Sequence, residues 1–99
     1  MAEHASVVDV SRYYPAAGKR EELLAAMRRL ATAAAGSNGC FGAQICASDR
    51  DAEALVAISR WASPADLEAF ANEPAFVADR DALSNLLGRP AEREHFRSI

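Results

Sequence analysis

Arg60-Trp61-Ala62-Ser63-Pro64-Ala65-Asp66-Leu67-Glu68-Ala69-Phe70, with Glu73-Pro74-Ala75-Phe76 just after it, is the stretch that decides the fold. An apolar strand ends in Trp61, and a helix begins at once. Ser63 can accept from the Asp66 amide, and Asp66 sits well at the positive end of a helix dipole. Leu67 and Phe70 then face inward. Asn72-Glu73-Pro74 interrupts this helix, and Pro74 opens a second one, because a proline ring fits the first helical turn. Phe76, Val77, Leu83, Leu86 and Leu87 give the second helix an apolar side. Gly88 reads as its C-cap, and Pro90 blocks continuation.

Upstream, Ala54 to Trp61 alternates as a strand, with Val56 and Ile58 opposite Leu55, Ala57, Ser59 and Trp61. Asp49-Arg50-Asp51-Ala52-Glu53 is a short charged link to an earlier strand, Cys40 to Ser48. Two strands joined this way predict an antiparallel hairpin. Leu23, Met27, Leu30 and Ala34 form a helical stripe before it. Gly36-Ser37-Asn38-Gly39 stops that helix, with glycine supplying the left-handed conformation of a C-cap. Val7 to Tyr14 is β-branched and aromatic and ends at Pro15, as a first strand should. Val8 and Val10 share one of its faces; Asp9, Ser11 and Tyr13 share the other. Ala91 to Ile99 is extended and charged, which suits an edge strand or an arm exchanged with a partner. The order is β-α-β-β-α-β with the second helix broken in two: an α+β, ferredoxin-like arrangement with an antiparallel sheet.

A chain of 99 residues is a single domain, 1–99, with residues 1–5 a flexible lead-in. At 51% apolar and 25% charged residues it folds rather than staying disordered. The net charge of −3 comes with arginines scattered among acids, so nucleic acid is not an expected partner. No apolar run approaches the roughly 20 residues that span a bilayer. The N-terminus lacks the form of a secretory signal, and the expected location is the cytoplasm. Cys40 and Cys46 lack Cys-x-x-Cys spacing and read as free thiols. His4 and His95 have no second ligand at a useful spacing, so no metal site is expected. With no glycine-rich phosphate loop, no nucleotide cofactor is expected either.

The strand–Trp61–Ser63–Pro74–Phe76 order resembles the antibiotic biosynthesis monooxygenase family. The resemblance also covers the Pro15–Gly18 turn, Gly39-Cys40-Phe41-Gly42, Leu86-Leu87 and Pro90. It implies a dimeric α+β barrel, in which the open sheet faces of two subunits meet and each keeps a cavity between sheet and helices. It also implies oxidation of aromatic compounds without metal or flavin. Two positions depart from the family: Phe70 and Ala75 stand where many members have His. Members that open haem match here at Ser11, Phe70 and Arg80, and Arg80 has no lone pair to give an iron.

The activity expected from the resemblance is cofactor-independent monooxygenation of a small aromatic, quinol or polyketide-like compound. Such a site needs a dry cavity, a group that controls the phenolic proton, and aromatic walls. The catalytic candidates are Asp9, Ser11 and Tyr13. The candidates for the substrate cavity are Gln44, Cys46, Ser59, Trp61, Phe70 and Phe76. Two alternatives stay open. The polar strand faces could instead be a dimer interface, and the protein could be a non-catalytic binding or stress-associated dimer. Expected partners are a second copy through the open sheet face and a small aromatic ligand.

Overall fold

The computed structural model describes residues 5–99, so the expectations for residues 1–4, His4 among them, lie outside the described residues. Seven elements follow in order: β1 (Val7–Pro15), α1 (Arg20–Ala35), β2 (Cys40–Ala47), β3 (Leu55–Trp61), α2 (Pro64–Ala71), α3 (Pro74–Ser84) and β4 (Leu87–Arg97). The strands form one sheet in the order β2-β3-β1-β4, and every neighbouring pair is antiparallel. This is the ferredoxin-like α+β arrangement, with α2 and α3 as the two halves of the second helical segment.

The helices pack on one side of the sheet. Leu23, Met27, Leu30 and Ala34 are all buried, so the α1 stripe is its core face. One cluster joins Leu23, Met27 and Leu30 to Leu55 and Leu83. A second joins Val7, Ala34, Trp61, Leu67 and Phe70. Ser63 caps α2: its Oγ accepts from the Asp66 amide at 3.1 Å and donates to Asp66 Oδ2 at 3.0 Å. Ala5 is held to the C-terminus, its carbonyl accepting from Ser98 Oγ at 2.6 Å.

The stop after α1 divides its work between two glycines: Gly36 caps the helix at a right-handed φ of −86°, and Gly39 takes the left-handed conformation at φ 81°. The end of α3 differs from expectation. Gly88 does not cap α3. Asn85 does, and Gly88 already lies in β4. Leu86, Leu87 and Pro90 therefore belong to the turn and the edge strand, where a proline lacking a ladder donor is tolerated.

Register decides which side each strand residue takes, because paired residues in an antiparallel ladder share a face. Asp9 pairs with Ser59 and His95, Ser11 with Ala57 and Arg93, and Val7 with Trp61 and Arg97. Val7 and Trp61 are in the core under the helices, so this whole set faces the helices. The opposite face carries Val8, Val10, Val56, Ile58 and Phe96, with no helix over it. Among the described residues, no helix is long and apolar enough to cross a membrane.

Candidate active site

A cavity of about 610 Å³ lies between the sheet and the helices. That is within the size range of small-molecule sites. Its floor is the helix-facing side of the sheet, including Asp9, Ser11, Tyr13, Ala57, Ser59 and Trp61. The polar face of β1 is therefore turned into the subunit, and the alternative that it forms an interface between subunits is overturned by register.

Trp61 is fully buried, and its Nε1 donates to Ser59 Oγ at 2.8 Å. That bond satisfies the indole N–H in an apolar setting and fixes the ring. Phe70 follows at a centroid distance of 5.3 Å, and Phe76 stands 4.5 Å from Phe70. The three rings make one continuous wall along α2 and α3. The Arg80 guanidinium carbon sits 5.7 Å from the Phe76 centroid.

Asp9 is buried, and its carboxylate is gripped from β4. Arg93 Nε donates to Oδ1 and Nη2 to Oδ2, both at 3.0 Å. His95 Nε2 lies 3.0 Å from Oδ1. Arg93 takes one lone-pair site on each oxygen and His95 stands against Oδ1, which leaves Oδ2 the less crowded oxygen, with a lone-pair site open. Burial works against the Arg93 charge, but the hydrogen bonds and charge of Asp9 outweigh it and hold the guanidinium above its ordinary pKa.

The other candidates sort by face. Ser59, Trp61, Phe70 and Phe76 line the cavity together with the β1 residues. Cys46 does not: it pairs with Val56, on the open side of the sheet. Gln44 pairs with Ile58 on that same side. It reaches the cavity rim, but its side chain is exposed and its Nε2 donates to Cys46 Sγ at 3.4 Å. In their place β2 supplies Ala43, the register partner of Ser59. Sequence reasoning missed Arg93, which pairs with Asp9, and gave Arg80 no role in the cavity. The signal for Arg93 was its alternation with His95 and Arg97 on an edge strand. No group of three or more His, Cys, Asp or Glu side chains that could hold a metal forms among the described residues.

The fold and cavity define a small ferredoxin-like domain with a cavity between its sheet and helices. The model of the antibiotic biosynthesis monooxygenase family matches residues 6–81, so the chain belongs to that family. Solved structures agree on the fold. Rv0793 from Mycobacterium tuberculosis superposes with a TM-score of 0.87 at 22% identity, covering 96% of each chain. A conserved protein from Methanosarcina mazei gives 0.88 at 17% identity, over 96% of this chain and 94% of that one. A mutant of SnoaB, a cofactor-independent oxygenase from Streptomyces nogalater, gives 0.83 at 20% identity, over 96% of this chain and 94% of that one. At these identities the likeness is one of fold. No curated protein sequence matches the chain.

Proposed function

We propose that the protein is a cofactor-independent monooxygenase of a small aromatic, quinol or polyketide-like compound. The observation that carries this is the pairing, in one cavity, of an aromatic wall with a buried carboxylate that keeps one lone-pair site open. Family membership and the fold shared with SnoaB support the same reading.

The chemistry follows from the charges. A phenolic or enolic O–H of the substrate donates to the open site on Asp9 Oδ2. As the proton moves to Asp9, negative charge appears on the substrate oxygen beside Arg93. The guanidinium loses one anionic partner and gains another, so the anion forms beside a partly buried cation that stays paired. Ser11 and Tyr13 add hydroxyl groups to the same floor and orient the anion. His95 touches Asp9 and is half-exposed, which gives the proton a way out to solvent. The substrate anion then reduces O₂. Its carbon bonds to one end of O₂, which a proton completes as a hydroperoxide carrying both oxygen atoms; O–O cleavage with loss of water then leaves one of them as a carbonyl, so a CH₂ and O₂ become C=O and H₂O. The electrons come from the substrate, and the apolar walls keep water from the anion.

Dimerisation through the open sheet face is part of this reading. Rows of side chains run across that face: Phe96, Val8 and Arg60; then Glu94, Val10 and Ile58; then Glu92, Arg12 and Val56. Phe96 is 47% exposed, and no helix covers its neighbours. A second copy would bury them. A cytoplasmic setting belongs to the reading too. It is supported by Cys40 and Cys46, free thiols at opposite ends of one strand and too far apart to bridge each other.

One observation favours the second reading, a binding protein without catalysis: Asp9 is already engaged on both oxygens. Oxygen uptake by chelator-treated protein with a panel of hydroquinones and anthrones separates the two. Uptake above autoxidation supports the oxygenase; none across the panel leaves binding alone.

A further inference from the structure

The cavity lining holds one acid, Asp9, and three arginines, Arg80, Arg89 and Arg93. Arg93 is neutralised by the bidentate bond from Asp9. Arg89 lies 3.6 Å over the Tyr14 ring and 3.8 Å from Asp51. Arg80 is different. Its ion pair is with the adjacent Asp81 at 3.9 Å, the limit of contact, where the two side chains are 43% and 72% exposed. Such a pair holds a guanidinium only weakly.

The position of Arg80 matters as much as its charge. It stands at the end of the wall that runs Trp61, Phe70, Phe76, with its guanidinium over the Phe76 ring. A planar ligand lying along that wall reaches from the buried Trp61 end to Arg80. Its edge at that end meets a partly exposed cation that keeps donors to spare. Packing on Phe76 limits the rotamers of Arg80, so less freedom is lost when an anion binds.

We propose that the cavity selects aromatic carboxylates, and that Arg80 is the specificity residue that reads the acid group. The proposal deepens the oxygenase reading, since it rests on the same cavity being the ligand site. The acid group sits at the mouth on Arg80, and the oxidisable ring lies inward, toward Asp9.

The test is binding, read by calorimetry under anaerobic conditions. Naphthoate and anthraquinone carboxylate are each compared with their neutral carboxamides. The native protein should bind the acids about tenfold more tightly than the amides, as one charge-assisted contact provides. Arg80→Gln should erase that preference by weakening the acids far more than the amides, while Arg80→Lys should keep part of it. Arg28→Gln removes a cation from the exposed face of α1, outside the cavity, and should keep the full preference. Equal affinity for acid and amide, no binding of either, or a preference that survives Arg80→Gln would overturn the proposal. No oxidation takes place in this assay. Failure of the quinol oxygenation therefore leaves the proposal standing, and loss of the acid preference leaves the oxygenase standing.

Discussion

Asp9 and Arg93 are 84 positions apart in the chain and are joined by two parallel hydrogen bonds of 3.0 Å across the β1–β4 ladder. The pair ties the edge strand to the centre of the sheet and sets the charge at the cavity floor. Asp9→Asn keeps the shape, removes the charge and turns an acceptor into a donor facing Arg93. Bonds to charged groups contribute about 1.5–3 kcal/mol, and the one-third exposure of Arg93 places the loss near the low end. Urea unfolding should show a loss of about 1–2 kcal/mol, and turnover of any quinol substrate should fall at least about tenfold. Undiminished turnover would remove Asp9 from the chemistry.

Trp61 is the sole tryptophan of the chain and is fully buried, so its emission should be blue-shifted and should respond when the cavity fills. Trp61→Phe leaves a void beside Phe70 and frees Ser59 Oγ from its donor. Thermal unfolding should report a loss of about 1–3 kcal/mol, less than a full truncation to Ala. An unchanged stability and ligand affinity would mean that the indole contributes neither packing nor wall.

Gly39 has φ 81°, and a Cβ built there would collide with the Asp66 side chain, which is bonded to the α2 cap Ser63. Gly39→Ala combines left-handed strain with that clash. The expected cost is about 1–3 kcal/mol in a denaturant titration. Gly36→Ala, at a right-handed φ with no neighbour closer than 3.7 Å, should cost less than about 1 kcal/mol.

Tyr14 Oη donates to Glu92 Oε1 at 2.6 Å, and this bond, with burial and the Glu92 charge, raises the phenol above its ordinary value of 10.0. The folded chain thus binds this proton more tightly than the unfolded chain does. The resulting stability is complete below the ordinary value of 10.0 and is lost as pH rises through the folded-state value. Ultraviolet titration should place one tyrosine above that ordinary value, and Glu92→Gln should bring it down. A Tyr14 midpoint unmoved by Glu92→Gln would contradict the bond.

The open sheet face yields a prediction of its own. Ile58→Glu places a charge on the open sheet face, beside Val10. If that face joins two copies, sedimentation should show a dimer for the native chain and a monomer for the variant. A native monomer would rule out that interface.

Local signals were legible in the sequence. The Ser63-Pro64 start, the Pro74 restart and the stripe of α1 depend on residues within a turn or two of each other. Alternation within each strand was also legible: Val8 with Val10, Val56 with Ile58, Gln44 with Cys46. What alternation leaves open is which face of one strand joins which face of the next. Polarity points Gln44 and Cys46 toward Asp9, but register, with a bulge between Cys40 and Gly42, puts them beside Ile58 and Val56. A left-handed glycine after α1 was legible from residue type, while which of Gly36 and Gly39 adopts it is set by where the chain must go next. The Asp9–Arg93 bond was out of reach, because it joins the two ends of the chain, and alternation along the last strand does not say which residue of the first strand Arg93 meets.

The most direct test of the oxygenase is isotopic. Chelator-treated protein is given a quinol or anthrone under ¹⁸O₂, and product and water are analysed by mass spectrometry. One labelled atom is expected in the product and one in water, at a rate above autoxidation and unaffected by chelator. Product formed without label, or no product beyond autoxidation, would contradict cofactor-independent oxygenation.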